Sequence, residues 1–295
     1  MAFVVLIVTV FSFGLVAQMI GLVVAYFMYG GDFAVFANDI ANPTGHEAMK
    51  APLMVAQAIT TVLGLAVIPP LFWWTMRRKS LVTFFNETRV TPLQLLYTIG
   101  ILVFFMIVNS ATIEWNSGLD YPGAFGEWSR MIEDKAMELT KFMASNTGIG
   151  DYLAAVMVIA VFAAIGEEIV FRGLLQTELH KAFKNIHLAI WISAIFFSAF
   201  HLQFYGFFPR LLLGALFGYM YYWSGNMIVP MFAHFVNNIA AVSALYFGME
   251  EADDPSVAPW YAVVIALIIG SFLLYRFYLL RPQPVNIQPS NDQPA

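Results

Sequence analysis

The chain has 295 residues, of which 60% are hydrophobic and 11% charged, with a formal net charge of −5 and a mean hydropathy of +0.73. Soluble domains carry about 25% charged residues, so this composition argues against an ordinary water-soluble enzyme and predicts an all-α, polytopic membrane helical bundle. No basic cluster suggests nucleic acid as a partner, and the absence of cysteine removes disulfides, a thiol nucleophile and thiolate metal sites.

Apolar stretches near the ~20 residues needed to cross a bilayer number eight, at 3–29, 52–76, 92–113, 151–181, 187–204, 208–224, 226–247 and 260–280. The first lacks a basic flank and is longer than a secretory-signal core, which predicts a retained span. Pro69 and Pro70 are expected to kink the second, because each proline removes a backbone donor. Thr91-Pro92 reads as an N-cap followed by proline at the first helical position. Between the third and fourth spans the charge density is too high for a crossing. There Trp128, Ile132, Leu139, Phe142 and Met143 recur at helical spacing opposite Glu127, Arg130, Glu133, Asp134, Glu138 and Lys141. This predicts an amphipathic helix over 125–143, lying on the membrane or over a cavity mouth, or equally a solvated helix in a connecting loop.

Lys and Arg mark cytoplasmic loops. Arg77, Arg78, Lys79 and Arg89, then Lys181 and Lys184, then Arg276 and Arg281 all fall on one side, while Asp32, Asp39, Glu47 and the group Glu250, Glu251, Asp253 and Asp254 fall on the other. Both termini are therefore expected in the cytoplasm, and the acidic loops suggest a bacterial inner membrane. Arg210 runs against this trend, at the non-cytoplasmic end of its span. The expected organisation is N-terminal spans with the amphipathic segment over 1–150, a core over 151–247, a last span within 248–281 and a disordered tail over 282–295.

Ionisable groups inside a span cost roughly 2.5–3.5 kcal/mol at the helix centre and mark functional candidates. Glu167, Glu168 and Arg172 lie inside the fourth span. Glu168 and Arg172, four apart, share a face and can pair, whereas Glu167 is rotated by about 100° and remains free to take and give a proton. His201 in the fifth span falls at a similar depth. In the seventh, His234 and Asn238 are four apart and can together donate hydrogen bonds to a developing oxyanion, and Pro230 one turn earlier is expected to open that helix. Gly214 and Gly218 form a small-xxx-small pattern for close helix packing. Each group also has a structural reading, as an ion-paired packing cluster, an interface histidine or interhelical polar glue.

With these residues in place the chain resembles the CPBP intramembrane protease family, which includes the type II CAAX prenyl endopeptidases and bacterial enzymes linked to bacteriocin processing and self-immunity. The motifs are Glu167-Glu168-x-x-x-Arg172, Phe197-x-x-x-His201 and His234-x-x-x-Asn238, over about residues 150–245. The resemblance implies a helical bundle with an intramembrane catalytic cavity. In it Glu167 and His201 activate water, His234 and Asn238 stabilise the oxyanion, and Glu168 and Arg172 give support. It implies an endopeptidase acting on a membrane-associated peptide or protein, prenylated or leader-containing. No cofactor is firmly implied; zinc stays open, with Glu167, His201 and His234 as its ligands. The competing readings are a non-catalytic immunity or scaffold protein and an ion-coupled transporter.

Overall fold

The computed structural model describes residues 2–77, 88–145, 148–249 and 258–281. The expected tail over 282–295, the acidic group at 250–254 and the basic pair Arg78 and Lys79 lie outside the described residues. Among those described, no strand is present and ten helices build the bundle. They are α1 (Ala2–Tyr29), α2 (Phe33–Ala41), α3 (Lys50–Thr61, Val62–Val67 and Ile68–Arg77), α4 (Pro92–Ser117), α5 (Gly123–Ala144), α6 (Ile149–Phe183), α7 (Ile186–Phe200), α8 (Phe207–Ser224), α9 (Ile228–Tyr246) and α10 (Trp260–Leu279).

Each of the eight expected spans is helical, but six are long and apolar enough to cross a membrane: those of α1, α3, α4, α6, α9 and α10. The other two do not reach that length and hydropathy. Helix α7 has 15 residues, about 22 Å at ~1.5 Å per residue, which is short of the ~30 Å hydrocarbon thickness. Helix α8 is less apolar, with Arg210 near its start and Tyr219, Tyr221, Tyr222 and Trp223 near its end.

The elements follow local rules. Thr91 caps α4 in a capping box, accepting from the Gln94 backbone N–H while the Gln94 side chain accepts from the Thr91 N–H. Gly225 ends α8 at φ 62, a left-handed geometry that favours glycine. Pro69 and Pro70 lie in α3 just after a π turn over Val62–Val67, and the helix continues past them to Arg77. Pro230 does not open α9 either. That helix begins at Ile228, so the proline lies in the first turn, where an N–H has no intrahelical partner to lose.

Helix α6 is the centre of the bundle. It packs against α3 on one side and α9 on the other, while α7 and α8 form a tight pair across its second half. Gly166 allows the approach of α3: a Cβ there would lie 2.9 Å from the Leu65 Cβ and 3.3 Å from the Thr61 carbonyl oxygen. Helix α5 covers the end of the bundle where α7 stops. Its charged face is largely exposed, as expected, but it also makes tertiary contacts: Glu133 accepts from the Tyr205 N–H, Glu138 accepts from Thr44, and Arg130 stacks 3.4 Å from the Tyr205 ring centroid. At the same end, buried Lys50 pairs with Asp151 at 3.0 Å and donates to the Ser145 carbonyl.

Candidate active site

Two π turns in α6, Val156–Phe162 and Ile169–Gln176, bracket the short α-helical stretch Ala163–Glu168 that carries the acidic pair. A π turn adds a residue to the helical ring and redirects the side chains beyond it, and such turns cluster at functional positions. Glu168 and Arg172 still meet on one face, with Nη1 donating to Oε1 at 2.8 Å, and both are buried. Arg172 also donates through Nη2 to the Gly214 carbonyl at 2.9 Å. Its guanidinium lies 4.5 Å from the Phe197 ring centroid and 5.5 Å from that of Phe217, within cation–π range. Gly214 permits this: a Cβ there would touch Phe197 at 3.0 Å and Ala194 at 3.2 Å.

His201 caps the C-terminus of α7, and Leu202 beyond it takes φ 56 and turns the chain away. For a leucine this left-handed conformation costs roughly 1–2 kcal/mol, so the bundle holds the turn in place. The His201 ring returns over its own helix, Nδ1 lying 2.9 Å from the Phe197 carbonyl oxygen. A carbonyl only accepts, so Nδ1 carries the proton and Nε2 faces the site. His234 on α9 is likewise ordered through Nδ1, which is 2.8 Å from Glu168 Oε1. The two Nε2 atoms converge: each lies 3.9 Å from Glu167 Oε2, an oxygen that is buried and has no hydrogen-bond partner. That separation is beyond a direct hydrogen bond and is the kind that one water spans.

Asn238 lies one turn beyond His234 and donates from Nδ2 to the Ile159 carbonyl at 3.0 Å, a carbonyl within the first π turn of α6. Its Oδ1 accepts from Asn237 at 3.1 Å, which leaves one amide hydrogen uncommitted. The structure thus brings Glu167, His201 and His234 together around one oxygen, joins Glu168 and Arg172 to His234, and ties Asn238 to α6.

A tetrahedral zinc with bonds of about 2.0–2.1 Å sets neighbouring ligand atoms about 3.4 Å apart. The two 3.9 Å separations are wider than that, and among the described residues no group of three His, Asp or Glu side chains is arranged to hold a metal ion. As placed, the donors do not fit zinc.

Sequence reasoning missed several contributors. Gln176 is buried and donates to the Gly218 carbonyl at 3.2 Å, repeating one turn along the contact of Arg172 with Gly214. Ser193 ties α7 to α6 by donating to the Phe171 carbonyl at 2.7 Å. The Gly214 and Gly218 spacing announced close packing, but the carbonyls it exposes to Arg172 and Gln176 leave no mark in a sequence. Beside the site an apolar cavity of about 240 Å³ is lined by Leu6, Val10, Val170, Phe171, Phe200 and Leu202 among others.

The fold and site define a polytopic helical membrane protein with a buried carboxylate–histidine centre. Residues 149–240 match the family described as type II CAAX prenyl endopeptidase Rce1-like. The chain is also 27% identical over 158 residues to the uncharacterized protein YpbD of Bacillus subtilis (strain 168), an alignment covering 52% of this chain and 69% of that protein. No solved structure matches it.

Proposed function

We propose that this protein is an intramembrane endopeptidase that hydrolyses a peptide bond of a membrane-associated substrate with water activated by Glu167. The observation that carries the reading is the convergence of His201 Nε2 and His234 Nε2 on the unpartnered Glu167 Oε2, each at 3.9 Å. A buried acceptor left unpaired costs roughly 1–3 kcal/mol, and more when charged. The attacking water is the partner that satisfies it.

In this mechanism Glu167 takes a proton from the water while the oxygen bonds to the scissile carbonyl carbon, and the Nε2 lone pair of His201 orients the second water hydrogen. Negative charge then develops on the former carbonyl oxygen. His234 already donates Nδ1–H to Glu168, so donation from Nε2 as well requires its imidazolium form, and the Glu168 carboxylate braced by Arg172 is the counter-ion. The uncommitted amide hydrogen of Asn238 is the second donor. Collapse breaks the C–N bond, and Glu167 returns its proton to the leaving amine.

The apolar cavity beside His201 suits a hydrocarbon substituent on the substrate, such as the prenyl group named in the family's description. The core over 151–247 carries the chemistry in this reading, in a bacterial inner membrane with both termini cytoplasmic. The test is cleavage of a membrane-anchored peptide library by purified protein in nanodiscs, wild type against Glu167→Gln, each with and without chelator. Cleavage by wild type alone, insensitive to chelator, is expected. A folded wild type that cleaves nothing would overturn the proposal, and chelator-sensitive cleavage would restore zinc.

A further inference from the structure

A cavity of about 400 Å³ opens where the C-terminal ends of α8 and α10 meet the chain leading into α4, lined by Thr88, Tyr222, Trp223, Gly225, Tyr278 and Arg281. The distribution of Lys and Arg assigns this end of the bundle to the cytoplasm, and the mechanism above uses none of these residues. The walls are fixed by hydrogen bonds. Thr88 Oγ1 donates to the Ser224 carbonyl at 2.6 Å, while buried Asn226 donates to the Thr88 carbonyl at 2.6 Å and accepts from the Ile228 N–H at 2.8 Å. Gly225 lies so close that a Cβ there would meet Thr88 Cγ2 at 3.0 Å. Across the cavity Trp223 packs edge-on against Tyr278, with ring centroids 5.4 Å apart at 75°.

Arg281 supplies the charge. Its Cζ lies 3.8 Å from the Tyr278 ring centroid, and Nη1 donates to the Tyr278 carbonyl at 3.4 Å. A guanidinium stacked on a ring face keeps its remaining N–H groups at its edge, in the planar fork that suits phosphate. No carboxylate lines the cavity, whereas the hydroxyls of Tyr222 and Tyr278 and the indole N–H of Trp223 are further donors along its wall. One cation, several donors and no acidic group make a site for a phosphate anion. Such a phosphate arrives either free or as a lipid headgroup, and α10 favours the lipid. From Tyr278 the residues Tyr275, Phe272 and Ile268 follow at helical spacing, 58%, 56% and 65% exposed, so an apolar stripe runs from the cavity along the span. A phospholipid uses both features, its headgroup on Arg281 and an acyl chain on the stripe. A free phosphate uses only the first.

We infer that this cavity binds the phosphate headgroup of an anionic phospholipid, gripped by Arg281. Arg89 and Arg276, at the same end of the bundle, add to the field that gathers anionic lipids at a cytoplasmic surface. Lipid held there ties the end of α10 to the turn between α8 and α9. The inference stands apart from the hydrolytic reading of the site.

The test titrates the purified full chain in neutral detergent with phosphatidylglycerol, phosphatidylcholine or inorganic phosphate, and counts bound ligand by native mass spectrometry. Wild type, Arg281→Gln, Arg281→Lys and Arg276→Gln are compared. Wild type should hold one phosphatidylglycerol in preference to phosphatidylcholine. Arg281→Gln should weaken that binding roughly tenfold, the worth of one charge-assisted hydrogen bond in an open pocket. Arg281→Lys should weaken it less, because an ammonium keeps the charge but neither stacks nor forks. Arg276→Gln removes the same charge outside the cavity and should leave binding unchanged. Thermal unfolding without lipid should be alike for every variant, and phosphatidylglycerol should raise the midpoint of wild type but not that of Arg281→Gln. If Arg281→Gln does not fold, Arg281→Lys carries the comparison. Equal losses from Arg276→Gln and Arg281→Gln would reduce the attraction to overall charge and overturn the inference, as would undiminished binding to Arg281→Gln. Inorganic phosphate binding as tightly as the lipid would assign the cavity to free phosphate and overturn the lipid headgroup.

Discussion

Replacing Arg172 by methionine tests the support beneath the site. Arg172 is 1% exposed and its partner Glu168 fully buried. Glu168 Oε1 receives both Arg172 Nη1 and His234 Nδ1 at 2.8 Å, while Oε2 has no partner. Methionine keeps the bulk against Phe197 and Phe217 but leaves a carboxylate without its principal counter-charge. Breaking a buried pair from one side costs about 3–5 kcal/mol, whereas removing both charges in favour of apolar groups is often near neutral. Arg172→Met should therefore destabilise by about 3–5 kcal/mol, and Glu168→Met/Arg172→Met should recover at least about 2 kcal/mol of the summed single losses. Unfolding titrations of the reconstituted variants supply the cycle. The double variant should remain inactive, because His234 has lost the acceptor that orders its ring. A single Arg172→Met within about 0.5 kcal/mol of wild type, or additive losses, would refute the reasoning, since surface-like behaviour is not available to a desolvated pair.

Asn238→Ala should lower kcat by about 10²–10³, the effect of removing one oxyanion donor, with a stability loss near 1 kcal/mol for its bond to Ile159; a kcat unchanged within twofold in steady-state assays would reassign Asn238 to packing. Gly166→Ala drives a methyl to within 2.9 Å of the Leu65 Cβ. It should cost about 1–3 kcal/mol and depress activity by moving the acidic pair, whereas Gly14→Ala, which meets nothing within 4 Å, should be silent in both assays. Outside the spans, the Tyr29 hydroxyl and the Asn38 amide hold the Asp39 carboxyl below its usual range, with His46 contributing at 3.4 Å. Its stabilisation is therefore present above the ordinary carboxylate pKa and lost as pH falls through the lowered one. The melting temperature should drop across that acid window, and Asp39→Asn should flatten the drop.

Much of this arrangement was legible in the residues. The spacing of Glu168 and Arg172 predicted their pairing, because four residues return to one helical face, and the depth estimate for His201 matched its approach to Glu167. What was not legible follows from backbone behaviour. Nothing in Val156–Phe162 or Ile169–Gln176 distinguishes a π turn from an α turn, since both accept the same residues. The end of α7 at Phe200 was hidden in the same way: Leu202 is an apolar residue in a conformation that glycine usually marks, so the expected span ran on to residue 204. The inward use of Glu133 was masked by period, because it falls among the charges of an amphipathic pattern and only the Tyr205 N–H reveals its role.

The central claim is that Glu167 activates the water that enters the product. Cleavage in H₂¹⁸O, followed by mass spectrometry of both fragments, tests it most directly. The account predicts one ¹⁸O in the new carboxyl group of the wild-type product, formed in a single kinetic phase with no acyl-enzyme, and no product from folded Glu167→Gln. Product formed at an undiminished rate by Glu167→Gln, or a trapped covalent intermediate on a serine or threonine, would contradict it.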